Sequence, residues 1–432
     1  AIQCCLVGSE MCIRDRISNW ILLMANNNKN NLRVGIDIGT SKVVCIIAEN
    51  TSEGINVLGL GIQNSIGLRD GVIVDIESTV AAVKEAVSKA ELMSGRQVTK
   101  AFVGISGGSV NGLNSSGAVP IKDKKVKMSE VEKVMSTAQA QRIPEGYELL
   151  HALPREFIID NQPGVKAPLG MAGVRLEAHV HLVSCLKNSA TNIGSCMKIC
   201  GIDVQKYVLE QLASSHSVLT DDQKKLGVCL IDIGGGTSDV AIFSDGAISH
   251  TVNVPIAGTH VTNDIARAIQ TSIQNAEDIK KKHGCAWSEL ADSDEMITTQ
   301  SINGRENQSF SRHGLSTVIE ERYQEIFQII KQRMGNINLA QAIPAGIVLT
   351  GGASRIEGIS QLAEAIFQAP VRVGKPQGLI GLSDILSNPI YSTAVGLILF
   401  AQKEQEEDYM DFAMLNEKGL LNKAFRWIQN TF

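Results

Sequence analysis

A chain of 432 residues with a formal net charge of −5 is too long for one ordinary core and predicts more than one domain. Apolar residues at 44% and charged residues at 20% exclude a mainly disordered chain, and no excess of positive charge points to nucleic acid. The nine cysteines are scattered without CxxC pairs and sit mostly in apolar runs, the usage of reduced core cysteines in a cytosolic protein.

Residues 1–31 read as a tail. Arg14 and Arg16 precede a short apolar patch, Trp20 to Leu23, with no clear cleavage site, and Met24-Ala25 opens an Asn/Lys run like an ordinary start. Residues 1–23 therefore read as sequence upstream of that start rather than as a signal peptide. The longest apolar stretch of the folded part, 393–401, is far shorter than the ~20 residues needed to cross a bilayer.

From Leu32 to Ala48 an apolar strand, a Gly-containing turn and a second apolar strand follow one another, and the same unit returns from Leu226 to Phe243. The runs GIDIGTSKVVCII (35–47) and CLIDIGGGTSDVAIF (229–243) mark an internal duplication, so two halves are expected to share one fold. Helical periodicity runs through Val80 to Ala90, and Asn192 to Leu219 reads as helical segments. Residues 105–184, rich in turns and β-branched residues, interrupt the first half. Residues 254–335 interrupt the second with strong helical periods at Val261 to Ile269 and Ser316 to Met334, separated by the polar stretch 288–313. After Phe400 the composition turns acidic (Glu404, Glu406, Glu407, Asp408, Asp411), which reads as a mobile linker over 402–417.

The two turns carry the chemistry. A hairpin with Gly and hydroxyl residues at its tip points backbone N–H groups outward, where they cradle phosphate oxygens without a side-chain clash. Asp37 and Asp232 end the preceding strands, where a carboxylate can hold the hydration shell of Mg²⁺. Either turn alone reads equally well as a tight hairpin; two in matched context favour phosphate handling. They form neither a Walker A loop, lacking GKS or GKT, nor a dinucleotide fingerprint, since a strand follows the turn. Downstream, GIVLTGGASRIEGISQLAEAIF (346–367) is a strand, a Gly-Gly-Ala-Ser turn against which a base can lie, and an amphipathic helix. In NAEDIKKKHG (275–284), Glu277 and Lys280 share a helical face at a spacing suited to ribose hydroxyls and base, or to a solvated ion pair. His179 and His181 alternate on a strand with no third ligand at metal spacing.

At the C-terminus, Leu421, Ala424, Phe425, Ile428 and Phe432 fall on one helical stripe flanked by Trp427, with Lys418, Lys423 and Arg426 outside it. Bulky apolar residues beside basic ones suit an anionic bilayer surface; the competing reading is a helix docked on protein.

Taken in order, the turns at 35–43, 232–240 and 350–354 and the connecting helices at 209–218 and 391–400 resemble the superfamily of actin and the DnaK-type chaperones. Within it, ISGGSVNGLNSSGAVPI (105–121), PLGMAGVRLEAHVHLVSC (168–185) and GTHVTNDIARAI (258–269) resemble the FtsA family of bacterial cell-division proteins rather than actin, MreB or the chaperone. The resemblance covers residues 32–432. It implies an α/β, actin-like two-lobed fold with duplicated ribonuclease-H-like domains and two inserted subdomains. The first lobe would comprise 32–104 and 185–218, the second 219–253 and 336–401. The insertions would be 105–184 and 254–335, followed by the linker 402–417 and a membrane helix, 418–432.

The resemblance also implies ATP, with Mg²⁺, in the cleft between the lobes. Gly39, Thr40, Ser41, Gly234, Gly235, Gly236 and Thr237 would touch phosphates; Glu277, Lys280, Gly351, Gly352 and Ala353 would line the nucleoside pocket; Glu210 would position water, without fast hydrolysis. The expected role is assembly and anchoring rather than enzymatic catalysis. The protein would form protofilaments, tie the tubulin-like FtsZ to the cytoplasmic face of the inner membrane at the division site through the 418–432 helix, and recruit later division proteins, with FtsZ expected near 314–334. The alternatives are another actin-like scaffold of the MreB or pilus-assembly type, or a small-molecule kinase, for which no catalytic acid or base is evident.

Overall fold

In the computed structural model, residues 32–299, 308–335 and 337–415 are described. The first lobe opens with an antiparallel meander, Leu32–Ile38 (β1), Lys42–Thr51 (β2) and Gly54–Asn64 (β3). β1 and most of β2 are buried on both faces, which is why they read as unbroken Val/Ile runs instead of alternating patterns. Helix α1 (Ile76–Ser94) is capped by the Asp75 carboxylate, which accepts from Ser78 N, and closes on Gly95 in the left-handed conformation. It lies directly on β3, because Gly59 and Gly61 present no side chain; a Cβ on them would come within 2.3 and 1.7 Å of the Ala90 and Ala86 carbonyl oxygens. Strand β4 (Lys100–Ile105) then pairs parallel with β1.

The first insertion follows. Strand β5 (Val110–Pro120), helix α2 (Met128–Gln139) and strands β6 (Tyr147–Ile159), β7 (Gln162–Val165) and β8 (Arg175–Leu186) form a sheet in the order β5-β8-β6-β7. The α2 face carrying Val131, Val134, Met135 and Ala138 closes its separate core.

Returning to the lobe, the chain makes α3 (Lys187–Ile199), β9 (Asp203–Leu209) and α4 (Glu210–Val218). The stretch 192–219, read as helical, therefore contains a strand. DVQKYVL alternates only weakly, and its pairing with β4 is a tertiary contact that local periodicity does not record.

Helix α5 (Asp221–Leu226) leads into the second lobe, whose strands β10 (Val228–Ile233), β11 (Ser238–Ser244) and β12 (Ala247–Val254) repeat the opening meander. The helical insertion supplies α6 (Gly258–Ala268), α7 (Ile273–His283) and α8 (Arg312–Arg333). The intervening polar stretch contains a hairpin, Met296–Thr299 paired with Gln308–Ser311. Ile319, Tyr323, Ile326, Phe327 and Ile330 of α8 share one core with β10 and β11. Strand β13 (Ile347–Thr350), helix α9 (Ile359–Phe367) and strand β14 (Val371–Val373) complete a sheet ordered β12-β11-β10-β13-β14.

Two boundaries differ from the sequence reading. The segment 336–401, assigned whole to the second lobe, crosses back at its end: β15 (Leu379–Ile380) joins β3, giving a first sheet ordered β9-β4-β1-β2-β3-β15. Helix α10 (Ser392–Leu415) packs on that sheet, with Ala394, Val395 and Ile398 in one core with Val44 and Ile46. The stretch 402–417, read as a mobile linker, is helical as far as Leu415, since Gln, Lys, Glu and Ala propagate an anchored helix well. The tail 1–31 and the 418–432 helix lie outside the described residues.

Helices α10 and α4 touch backbone to backbone. A Cβ on Gly396 would stand 2.0 Å from the Ala213 carbonyl oxygen, so Gly396→Val must push the helices apart. We expect a loss of at least about 1–3 kcal/mol, read as a lowered midpoint in thermal or urea unfolding.

Candidate functional site

The duplicated hairpins bring matched residues face to face. Asp37 pairs with Val44, and Asp232 with Asp239, one rung before the last of each hairpin. Each turn is closed by one backbone bond, Gly39 N to Lys42 O at 3.0 Å and Gly234 N to Thr237 O at 2.9 Å. The tips meet. A Cβ on Gly235 would fall 2.0 Å from Ser41 Oγ, and one on Gly236 would fall 2.6 Å from Thr40 Oγ1. The glycines thus let the two turns come into contact.

Beneath the tips lies a cluster of carboxylates. Asp37, Asp232 and Asp239 are buried, and Glu210 joins them from the start of α4. Burial pushes Asp37 up to about 6, aided by the charge of Asp232 and opposed by Lys42. Asp239 goes up to about 7 through burial and then Asp232, although Thr237 Oγ1 donates to it at 2.9 Å and Asn253 Nδ2 also donates. Asp232 is raised by burial, opposed first by the hydroxyl of Ser214, which donates at 2.6 Å. Glu210 is held well above the usual carboxylate range by burial and by Asp37 and Asp239. Lys42 stands among them, its ammonium donating to Ile390 O and lying 5.9 Å from the Tyr391 ring centroid, with Arg355 in electrostatic reach. Its own proton affinity is lowered by burial, against the pull of Asp37 and Asp232.

Four acids outnumber Lys42 and the more distant Arg355, leaving a deficit of positive charge. Among the described residues, no group of three His, Cys, Asp or Glu side chains could hold a metal ion directly. A cation retaining its waters suits this arrangement better than a bare one. Next to Glu210, the buried carboxamide oxygen of Gln211 has no hydrogen-bond partner among the described residues, leaving a polar position for water or ligand.

The third turn closes the far side. Gly351 sits at φ +87° with its Cα against Asp232, where a Cβ would lie 2.3 Å from Asp232 Oδ1; only glycine fits. Gly258, opening α6, donates its N–H to Gly234 O at 3.2 Å, and its Cα faces Ala353 and Lys280. Lys280 ion-pairs with Glu277 at 2.7 Å and donates to Gly258 O and Thr262 Oγ1. From below, Tyr323 O–H donates to Ala353 O at 2.9 Å.

Asp37, the 39–41 and 234–237 turns, Asp232, Glu210, Lys280 and the 351–353 turn therefore surround one cleft, with Glu277 behind Lys280. Sequence reasoning missed Lys42, Asp239, Gln211 and Asn253. Lys42 follows the first turn directly and Asp239 closes the DIGGGTSD run, so position alone could have raised both. His179 and His181 are engaged elsewhere, with Glu156 and with Asn114 and Thr251.

Two meanders of one topology facing each other across such a cleft, with an inserted subdomain in each, define an actin-like fold. Solved structures agree. A PilM–PilN type IV pilus biogenesis complex aligns with TM-score 0.60 at 14% identity over 85% of this chain and 97% of that one. MreB5 of Spiroplasma citri bound to ADP aligns with TM-score 0.55 at 17% identity over 88% and 98%. The sequence profile described as cell division protein FtsA matches residues 229–396, and that of the SHS2 domain inserted in FtsA matches 107–184. Cell division protein FtsA of Pseudomonas aeruginosa is 46% identical, covering 95% of this chain and 100% of the relative. That of Escherichia coli K12 is 38% identical over 94% and 98%. The chain belongs to the FtsA family of cell division proteins.

The raised carboxyls predict a pH dependence. A group with folded pKa above its unfolded value binds its proton more tightly when folded, so losing that proton costs stability. For Asp37 and Asp239 the unfolded value is 3.8 and the folded values are about 6 and about 7. The penalty is absent below about pH 4 and complete above about pH 7. Asp239→Asn is expected to raise the melting midpoint of the nucleotide-free protein by several degrees at about pH 7.5, and to flatten the decline between about pH 5.5 and 7.5. Thermal melts across that range check it.

Proposed function

We propose that this protein binds ATP with Mg²⁺ in the cleft, assembles into actin-like protofilaments and ties FtsZ to the cytoplasmic face of the inner membrane at the division site, where later division proteins join. The observation that carries the reading is the pair of facing hairpin turns over buried carboxylates that outnumber the positive charges beside them. Asp37 and Asp232 would hold waters of the hydrated ion, and the backbone N–H groups of 39–41 and 234–237 would receive phosphate oxygens. When bound, Mg²⁺ would neutralise phosphate charge. Lys42 balances Asp37 and Asp232 electrostatically. The 351–353 turn, with Lys280 held by Glu277, would bound the nucleoside side. The two Spiroplasma citri MreB5 structures of this fold are bound to ADP and AMPPNP, which supports nucleotide binding here.

Glu210 would orient water beside Gln211. Burial and the neighbouring Asp37 and Asp239 hold its carboxyl well above the usual carboxylate range, which suits slow hydrolysis and an assembly role better than a fast enzyme. The sequence of residues 418–432 supports membrane attachment, each buried large apolar side chain contributing ~1.5–3 kcal/mol before helix ordering is deducted. A single tail would bind reversibly, and tails arrayed on a protofilament would bind cooperatively through effective concentration. The helical insertion, including 314–334, is the face assigned to FtsZ.

Asp232→Ala is expected to weaken ATP binding by at least ~10-fold by removing a carboxylate from the ion's shell. Gly235→Val should do so more severely, because its side chain also collides with Ser41 and parts the turns. Nucleotide titration of the folded variants decides; wild-type affinity in both would sink the two-turn site.

Deleting 418–432, or replacing Phe425 and Trp427 by Glu, is expected to release the protein from anionic liposomes while ATP and FtsZ binding persist. Co-sedimentation with and without FtsZ reads this directly, and undiminished lipid binding by the truncated chain would assign the tail to a docked helix instead.

A further inference from the structure

A second cavity, of about 780 Å³, lies away from the nucleotide cleft, where the first insertion, the second lobe and helices α4, α5 and α10 converge. That volume falls within the range of small-molecule sites. Its lining is strongly basic: Lys206, Lys224, Lys225 and Lys403 against only Asp221 and Glu404. Glu404 is already taken by an ion pair with Lys206.

Lys224 is the informative residue. It is only 9% exposed, yet its ammonium rests on the Phe243 ring, 5.7 Å from the centroid. Among the described residues, that ammonium makes no hydrogen bond or ion pair. Burial chiefly lowers its proton affinity, opposed by Asp221 and aided by Lys403, to about 8. Nearby His216 is held well below its usual range by burial, then by Lys224 and Lys403, so both ammonium groups bear on the same space. A buried, unpaired lysine in a roomy polar cavity is costly unless an anion completes it. The helix that bears it is fixed in place, since Gly246 N donates to Lys224 O at 3.0 Å and Asp245 N to Lys225 O at 3.2 Å.

We propose that this cavity binds a small phosphate-bearing organic anion, its phosphate between Lys224 and Lys403 and its apolar part against Phe243 and Leu212. Lysine ammonium groups suit a multiply charged phosphate as point charges. The ligand would touch β6 of the first insertion, the β11–β12 hairpin of the second lobe and α10 on the first sheet, and so would fix the insertion relative to both lobes.

The test is calorimetric titration of the full chain with pyrophosphate at low ionic strength, comparing wild type with Lys224→Met and Lys403→Ala. Lys224→Met removes an unpaired buried charge and keeps the volume, so it is expected to fold with an unchanged or higher melting midpoint. Each variant should lose one binding equivalent, or weaken it at least ~10-fold, while titration with ATP matches wild type. Identical pyrophosphate isotherms for wild type and both variants would overturn the proposal, as would citrate binding at this site in preference to pyrophosphate. Because the criterion is the difference between wild type and variants, it holds whether or not ATP occupies the cleft.

Discussion

The crossing of α4 and α10 beneath the cleft is the constraint on which the rest of the molecule rests. Gly396 and Ala213 let the two helices meet at backbone distance, and hydroxyl groups complete the joint. Ser217 donates to Ser392 O at 2.8 Å, and Ser214 and Thr393 both reach Asp232. Thr350, ending β13, joins Ser392 at 2.6 Å. Small and hydroxyl residues are thus needed twice over, to bring the helices close and to hydrogen-bond the second aspartate. Because α10 also packs on the first sheet and α4 reaches the second, the position of Asp232 relative to Asp37 follows from this one joint.

The carboxylate cluster is a stored cost. Asp37, Asp239 and Glu210 are each held above the ordinary carboxylate range chiefly because they are buried, and one lysine cannot neutralise all of them. A chain selected for stability alone would replace one acid by an amide; keeping the deficit makes the folded state respond to a cation or proton, since whatever binds only the folded form stabilises it. The same logic applies on a smaller scale to Lys224, an unpaired charge of the opposite sign in the basic cavity.

The insertions are joined to this centre. Tyr323 of α8 supports the third turn through Ala353 O, and Gly258 at the head of α6 hydrogen-bonds the second turn. On the other side, His181 of the first insertion bonds Thr251 of β12 at 3.0 Å. The second insertion is thus hydrogen-bonded to two of the turns, and the first insertion to the second-lobe meander.

The sequence by itself determined the duplication, the two hairpin turns, the third turn and most helices, because each rests on local information: a glycine where a Cβ would collide, a cap, or a run of one periodicity. It also singled out the residues of the two turns that meet at their tips, since the matched DIG runs differ little from one half to the other. Only the tertiary structure decided that 203–209 is a strand, that 392–415 is one helix returning to the first lobe, and that Lys42, Asp239 and Gln211 share the cleft with Glu210. Those outcomes depend on partners far away in the chain. A weakly alternating segment becomes a strand because β4 offers it an edge, and an acidic run stays helical because the apolar turns before it are anchored on β1 and β2. The shifts of the carboxyls lie furthest from the sequence, because burial and neighbouring charge are properties of the assembled cleft and of no residue alone.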